Sequence, residues 1–368
     1  MTIAISGTTG ITLAGQFDSA NTFGFKNRII NGAMVIDQRN AGAAVTNTNS
    51  RIYSVDRFCI DGTVASKYTA QQVNVPTALA GYTKALKITS SAATTVASTD
   101  YYYLAQIIEG FNVADLAWGT ASAATVTLSF WVYSSLTGTF GGSIRNFASN
   151  RSYPFTYSVG SANTWTQISV TIAGDTSGTW ATDSSGAVAL SFGLGVGTTF
   201  SGSAGAWAAA NYVSATGATS VVGTNGATFY ITGVQLEKSS IATTFDYRPY
   251  GTELALCQRY YFKNLPGNAT ILSSGLSVFS TTIAQGMYVF PVSMRTAPSA
   301  LEQSGTAADY SVATGSGATT CSAVPSFSVA TTQIALSNFI VASGLTAGNS
   351  GWVKTASANA YLAWSAEL

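Results

Sequence analysis

Val126-Thr127-Leu128-Ser129-Phe130-Trp131-Val132-Tyr133 decides the fold class of this chain. Val126, Leu128, Phe130 and Val132 fall on one side of an extended backbone, and Thr127, Ser129, Trp131 and Tyr133 on the other. An apolar face backed by a more polar one is the mark of a half-buried strand. The same period recurs downstream. Ile168, Val170 and Ile172 alternate with Gln167, Ser169 and Thr171, and Leu190, Phe192, Leu194 and Val196 alternate with Ser191, Gly193 and Gly195. Gly and Asn punctuate the runs. Many short alternating strands with polar turns predict an all-β chain, with a β-sandwich or jelly roll over residues 27–250. In Phe229 to Glu237 the alternation slips at Gly233, with Phe229 and Ile231 sharing a face before it and Val234 and Leu236 after it. A Gly at such a slip predicts a β-bulge.

The flanking segments read differently. Residues 1–26 are Gly- and Thr-rich and too poor in apolar bulk for a core; Ile3, Ile5, Ile11 and Leu13 alternate around Thr9-Gly10. They read as two short strands or as an arm that orders against a partner. Thr252 to Lys263 argues for helix, with Thr252 as cap, Glu253 in the positive first turn and Lys263 in the last. Leu254, Cys257 and Tyr261 would form one stripe on it and Leu256 and Tyr260 another, so this connector (residues 251–263) calls for cover from a symmetry-related copy, with Leu254, Leu256, Tyr260 and Tyr261 as trimer-contact candidates. Residues 264–368 return to strand chemistry and predict a smaller C-terminal β domain, with strands in Ser277 to Ile283, Met287 to Val292, Gln333 to Val341 and Asn359 to Ser365, and an exposed loop at Gly315 to Thr320.

Composition narrows function. Charged residues make up 8% of the 368, against about 25% in an average soluble domain, and the net charge is +1. Such a surface cannot supply the basic stripe that phosphate neutralisation needs, so nucleic acid is not an expected partner. It suits a secreted, cell-wall or virion protein, or a chain that buries area between subunits; the second reading is preferred. There is no histidine, which removes Ser-His-Asp and Cys-His catalysis and His-ligated zinc. Cys59, Cys257 and Cys321 are too widely spaced for a metal motif or a disulfide framework, and read as buried thiols of a protein assembled in a reducing cytosol. No cofactor is expected. Met1 to Gly10 lacks a basic start and a long apolar core, so it does not read as a signal peptide, and no apolar run has the length for membrane insertion.

Asn31-Gly32 near the start and Tyr230-Ile231-Thr232-Gly233-Val234 near the end of the predicted sandwich resemble the opening and closing strands of carbohydrate-binding-module-like jelly rolls. In that family an acidic pair in the closing strand often helps to hold calcium; Thr232-Gly233 stands there instead, so no metal is carried over, and Asp37 and Asp175 are the acids around which a carbonyl-rich site would have to form. A narrower resemblance is to tail-fibre proteins of tailed bacteriophages. It is carried by Asn27 to Asn40, Val55-Asp56-Arg57-Phe58, Ile107 to Gly110, Leu128 to Val132, Ala173 to Trp180 and Thr243 to Leu254 in this order. The resemblance implies a homotrimeric virion protein, attached to the tail or head through residues 1–26 and recognising a host-surface glycan at its distal end.

The candidate residues follow from sugar chemistry. A pyranose packs its flat C–H face on an aromatic ring. Trp131, Tyr133, Trp207, Tyr212, Trp352, Tyr361 and Trp364 are the glycan-binding candidates, with Tyr101-Tyr102-Tyr103 as further possibilities, and Gly193 and Gly195 leave room for close approach. Asp37, Arg39, Asp56, Arg57 and Asp61 crowd together and predict structural ion pairs, as do Asp246 and Arg248. Glycoside hydrolysis would need two converging carboxyls. Glu109, Asp115, Asp175, Asp183 and Glu237 are available, but nothing in the sequence brings two of them together. Non-catalytic adhesion is therefore the primary expectation. A polysaccharide depolymerase, and a head fibre or tail connector without a receptor, are the alternatives.

Overall fold

The computed structural model describes residues 4–6, 10–12, 25–265, 267–273 and 275–368. Most of the N-terminal arm, and with it the expected docking to a virion, lies outside them; Ala4–Ser6 pairs antiparallel with Gly10–Thr12.

Two six-stranded antiparallel sheets form a sandwich. The first has the order Ser152–Val159, Gly138–Asn146, Gly186–Val196, Tyr101–Glu109, Phe58–Gly62, Ile52–Val55. The second runs Thr166–Ile172, Val126–Ser134, Thr228–Glu237, Tyr82–Ser90, Tyr68–Leu79, Val45–Thr46. The non-sequential strand order is that of a jelly roll. Val126, Leu128, Phe130 and Val132 all face the core, as the alternation requires. Phe130 meets Tyr157 and Phe192 of the opposite sheet edge-on, each at 5.0 Å between centroids.

The opening and closing segments meet as the family resemblance implies. Val234 N donates to Gly32 O at 2.9 Å, and the Asn27 side chain accepts from Leu236 N and donates to Val234 O, each at 3.0 Å. A Cβ on Gly32 would stand 2.1 Å from Val234 O, so only glycine fits this approach. The predicted bulge is present: register shifts between Thr232 and Gln235, and Gly233 has φ +62°.

A second body of strands follows. Tyr261–Asn264, Leu362–Ser365 and Glu302–Gln303 form one sheet; a seven-stranded sheet runs Gly317–Thr320, Tyr310–Thr314, Ser350–Thr355, Gly275–Val278, Ile283–Val289, Ile334–Ile340, Ser326–Ala330. The segment read as one strand from Ser277 to Ile283 is instead a hairpin turn, with Val278 opposite Ala284. Four of the six residues of the expected loop at Gly315 to Thr320, Gly317–Thr320, form an edge strand paired with Tyr310–Thr314.

The helix spans Tyr250–Gln258, shorter than predicted. Pro249 occupies the N-cap position, so Thr252 is not the cap, and Lys263 lies in a strand. The aromatic run Tyr260-Tyr261-Phe262 leaves the helix because Tyr261–Asn264 pairs with Leu362–Ser365, an extended partner that suits rings better than another helical turn. Of the trimer-contact candidates expected here, Tyr260 and Tyr261 are corrected. Cys257 and Tyr260 are buried against Ile30 and Ile36 of the same chain, with Leu254 and Leu256 packed at the margin, and Tyr261 is 1% exposed. The chain itself covers Tyr260 and Tyr261, while Leu254 and Leu256 stay half-buried.

The early charges do not pair with one another as expected. Asp37 accepts from Asn40 N at 2.9 Å and Gly42 N at 2.7 Å, closing a turn. Asp56 accepts from Gln38 N at 3.0 Å and from the Gln38 amide. Arg57 pairs with Glu367 and stacks 3.5 Å from the Tyr260 ring. Arg39 pairs with Glu367 at 3.3 Å and Glu302 at 3.7 Å. Asp246 and Arg248 do pair, at 3.8 Å, and Arg248 also holds Glu253 at 3.3 Å.

Candidate functional site

Strand Tyr101–Glu109 sends alternate residues to opposite faces of the first sheet. Tyr102 and Leu104 are fully buried in the core, so Tyr101 and Tyr103 face outward. Asp61 lies opposite Tyr103 on the next strand. Arg145 follows Ile144, which is fully buried in the core, and so joins the outward set. The stretch from Asn211 to Ala215 crosses this face, tied by parallel pairing of Ser214–Ala215 with Ser201–Gly202. A groove of about 390 Å³ remains between them.

One wall of the groove is aromatic. The Tyr101 and Tyr103 rings stack at 5.5 Å and 29°, and Phe200 meets Tyr101 edge-on at 5.1 Å. The other components are planar and polar. Arg145 Nη1 donates to Ser149 Oγ at 2.9 Å and Asn211 Oδ1 at 2.7 Å, while Asp61 Oδ2 accepts from the Tyr103 hydroxyl at 3.0 Å. Arg51 stands at the rim, 5.9 Å from the Phe147 ring. Burial pushes the Tyr103 phenol well above its usual range, with Asp61 adding to the rise and Arg145 opposing it, so it stays a neutral donor at physiological pH. Rings beside an amide, a guanidinium and a carboxylate can take both faces of a sugar, its C–H plane and its hydroxyl edge.

The seven sequence candidates do not converge. Trp131 and Tyr133 lie on the outer face of the second sheet, across the sandwich from the groove; Tyr133 packs with Trp165 at 5.4 Å and Tyr230 at 5.3 Å. Trp207 sits edge-on to Trp118 and Trp180, each at 5.5 Å, and its N–H is taken by Ala173 O at 2.7 Å. Tyr212 lies over Gly202, between two residues that line the groove, Asn211 and Val213. Trp352 is 45% exposed beside a separate shallow hollow. Tyr361 carries Lys263 Nζ 4.2 Å from its ring centre. Trp364 is a correction: it is fully buried, against Phe262, Tyr288 and Phe290, and faces no ligand. The room expected at Gly193 and Gly195 is filled by the chain itself. Ser214 packs on Gly193, and Val222 and Ser220 pack on Gly195.

Arg145 and Asn211 were missed because the groove gathers positions 61, 101, 103, 145 and 211, which no short window holds together. A usable signal existed in Ser143-Ile144-Arg145: an arginine beside a core isoleucine on a strand must face outward.

The five acids weighed for hydrolysis each have their own partners. Glu109 binds Arg259 and Tyr260, Asp175 binds Arg151, Asp115 binds Arg28, Glu237 binds Thr243, and Asp183 binds Ser185. Among the described residues, no three His, Cys, Asp or Glu side chains gather as a metal set.

No family model matches the sequence, and no curated protein matches it. Solved structures do. A protein from Bacteroides thetaiotaomicron described as a "putative sugar binding protein" is similar over 58% of this chain and all of its own, at 15% identity and a TM-score of 0.35. A family 11 carbohydrate-binding module from Clostridium thermocellum, solved with a mixed-linked tetrasaccharide, is similar over 55% of this chain and all of its own, at 11% identity and a TM-score of 0.28. A xylan-binding domain from Paenibacillus barcinonensis covers 55% of this chain and 99% of its own, at 8% identity and a TM-score of 0.26. The neighbours are carbohydrate-binding modules with jelly-roll folds; no residue role transfers from them at these scores.

Proposed function

We propose that this chain is a non-catalytic adhesin of a tailed-bacteriophage virion, a fibre subunit that binds a host-surface glycan in the groove beside Tyr101 and Tyr103. The observation that carries the glycan reading is the stacked Tyr101–Tyr103 pair facing Arg145, Asp61 and Asn211 in one groove. Asp61 is the single carboxylic acid among the residues lining it, where two-carboxylate hydrolysis asks for a pair, which favours binding over cleavage. The virion placement rests on the motif order of the sequence, and assembly in the host cytoplasm goes with it.

A homotrimer forms part of the proposal. Ile283, Met287 and Val289 are exposed along one strand of the seven-stranded sheet, and Ile340, Leu336 and Ile334 stand opposite them in register. Gln285 and Asn338 lie between them, so the face is uncharged and mostly apolar, a surface for contact between copies. Threefold display would raise weak single-site binding into effective attachment.

Binding of labelled full-length protein to host cells and envelope polysaccharide tests the reading. The Tyr101→Ala variant should lose most of the bound fraction while keeping its sedimentation behaviour. Retained binding in that variant would move the site elsewhere, and release of sugar fragments would favour the depolymerase.

A further inference from the structure

In a chain this poor in charge, the fate of each arginine is informative. Arg28, Arg39, Arg57, Arg151, Arg248 and Arg259 each pair with a carboxylate. Among the described residues, Arg51, Arg145 and Arg295 pair with no Asp or Glu side chain. Arg295 spends its donors on the main-chain oxygens of Ala366, Ser184 and Glu367. Arg51 and Arg145 both line the groove.

Arg145 is the sharper case. Its residue is 7% exposed, yet every partner it has is neutral: Ser149 Oγ, Asn211 Oδ1, and the Tyr103 hydroxyl at 3.5 Å. Its Nε has no hydrogen-bond partner. Asp61 forms an ion pair with neither arginine and instead holds the Tyr103 hydroxyl. Arg51 donates to the Leu368 oxygen at 3.0 Å, and its Nε is also without a partner. A buried guanidinium is costly unless an anion compensates it. Its planar fork matches a carboxylate in shape and charge.

We infer that the groove takes a saccharide bearing a carboxylate, a uronic or other sugar acid, with Arg145 as the carboxylate-binding residue and the Tyr101–Tyr103 pair under the ring. This rests on the glycan reading given above and narrows its ligand class. Asp61 then faces sugar hydroxyls, for which a carboxylate is the acceptor.

The test uses full-length protein on a glycan array with matched pairs: oligosaccharides containing uronic acids and the same oligosaccharides after carboxyl reduction, beside sulfated and neutral controls. Retention on the acidic members should fall roughly ten- to hundred-fold on reduction, the loss that goes with one charge-assisted contact. Arg145→Gln should lose the preference, and Arg145→Lys should keep part of it. The matched pairs read the preference on the unaltered protein, so poor folding of a variant does not block the test. Equal retention on both members of each pair, or retention on sulfated or neutral glycans alone, overturns the acidic-sugar inference and leaves glycan binding standing. Retention on no spot at all brings down the glycan reading itself.

Discussion

Asp56 shows how far a single buried group can set the behaviour of this chain. It is 1% exposed, and burial raises its carboxyl from an ordinary 3.8 to about 6, against the lowering effect of two hydrogen bonds from Gln38 and of the Arg39 charge. The folded state therefore holds this proton more tightly than the unfolded chain does. The stabilisation is fully present below about 3.8 and is lost as pH rises through about 6, a change on the order of 3 kcal/mol. Denaturant midpoints measured at pH 4 and pH 7 should differ less in Asp56→Asn than in the unaltered protein, since the amide keeps an acceptor for Gln38 N and has no proton to lose. Equal pH dependence in the two proteins would contradict this. The sequence showed Asp56 beside Arg57 and invited a local pair. The arginine's acid, Glu367, is 310 positions away, and no local pattern encodes that distance. Tyr103 is different: its outward side could be read from strand parity, but its partner Asp61 could not.

The strands were the most legible elements, because a two-residue period needs no knowledge of the partner. Val126–Ser134 and Thr166–Ile172 pair along their length, and the slip at Gly233 is a register shift in the structure. The helix was legible in kind and not in extent, since its end is fixed by a strand about a hundred positions downstream. Trp364 shows the same limit: alternation placed it on a strand, and only the seven-stranded sheet made its face an interior one. The opening Asn31-Gly32 segment is the element most exposed to a single change. Gly32→Ala would drive a methyl into Val234 O, an atom fixed in the closing strand by its neighbours, and the backbone must shift to relieve it. Overpacking of this kind costs about 1–3 kcal/mol. Urea unfolding should show that loss with an unchanged slope. A loss below about 0.5 kcal/mol would mean that the two segments part easily.

The sandwich and the C-terminal sheets meet through a charged seam. Glu367 binds Arg57 and Arg39, Arg259 and Tyr260 bind Glu109 at 2.5 and 2.6 Å, and Arg295 joins Ser184 O to Ala366 O and Glu367 O. Almost all of these groups are buried or half-buried, so the seam is poorly screened by salt. Two bodies joined in this way should unfold together, and calorimetry of the unaltered chain should give a single cooperative transition. Glu367→Gln keeps the shape of the side chain and removes the charge, leaving Arg57, 1% exposed, without its acid. Breaking a buried pair on one side typically costs about 3–5 kcal/mol. That loss falls on the junction rather than on either hydrophobic core, so the variant should show two resolved transitions, with the C-terminal sheets melting first. A single transition shifted to lower temperature would show that apolar contacts around Tyr260 and Ile36 hold the two bodies together without help from the seam. That outcome would assign the scarce charges of this chain to local stability and leave the coupling to its aromatic residues.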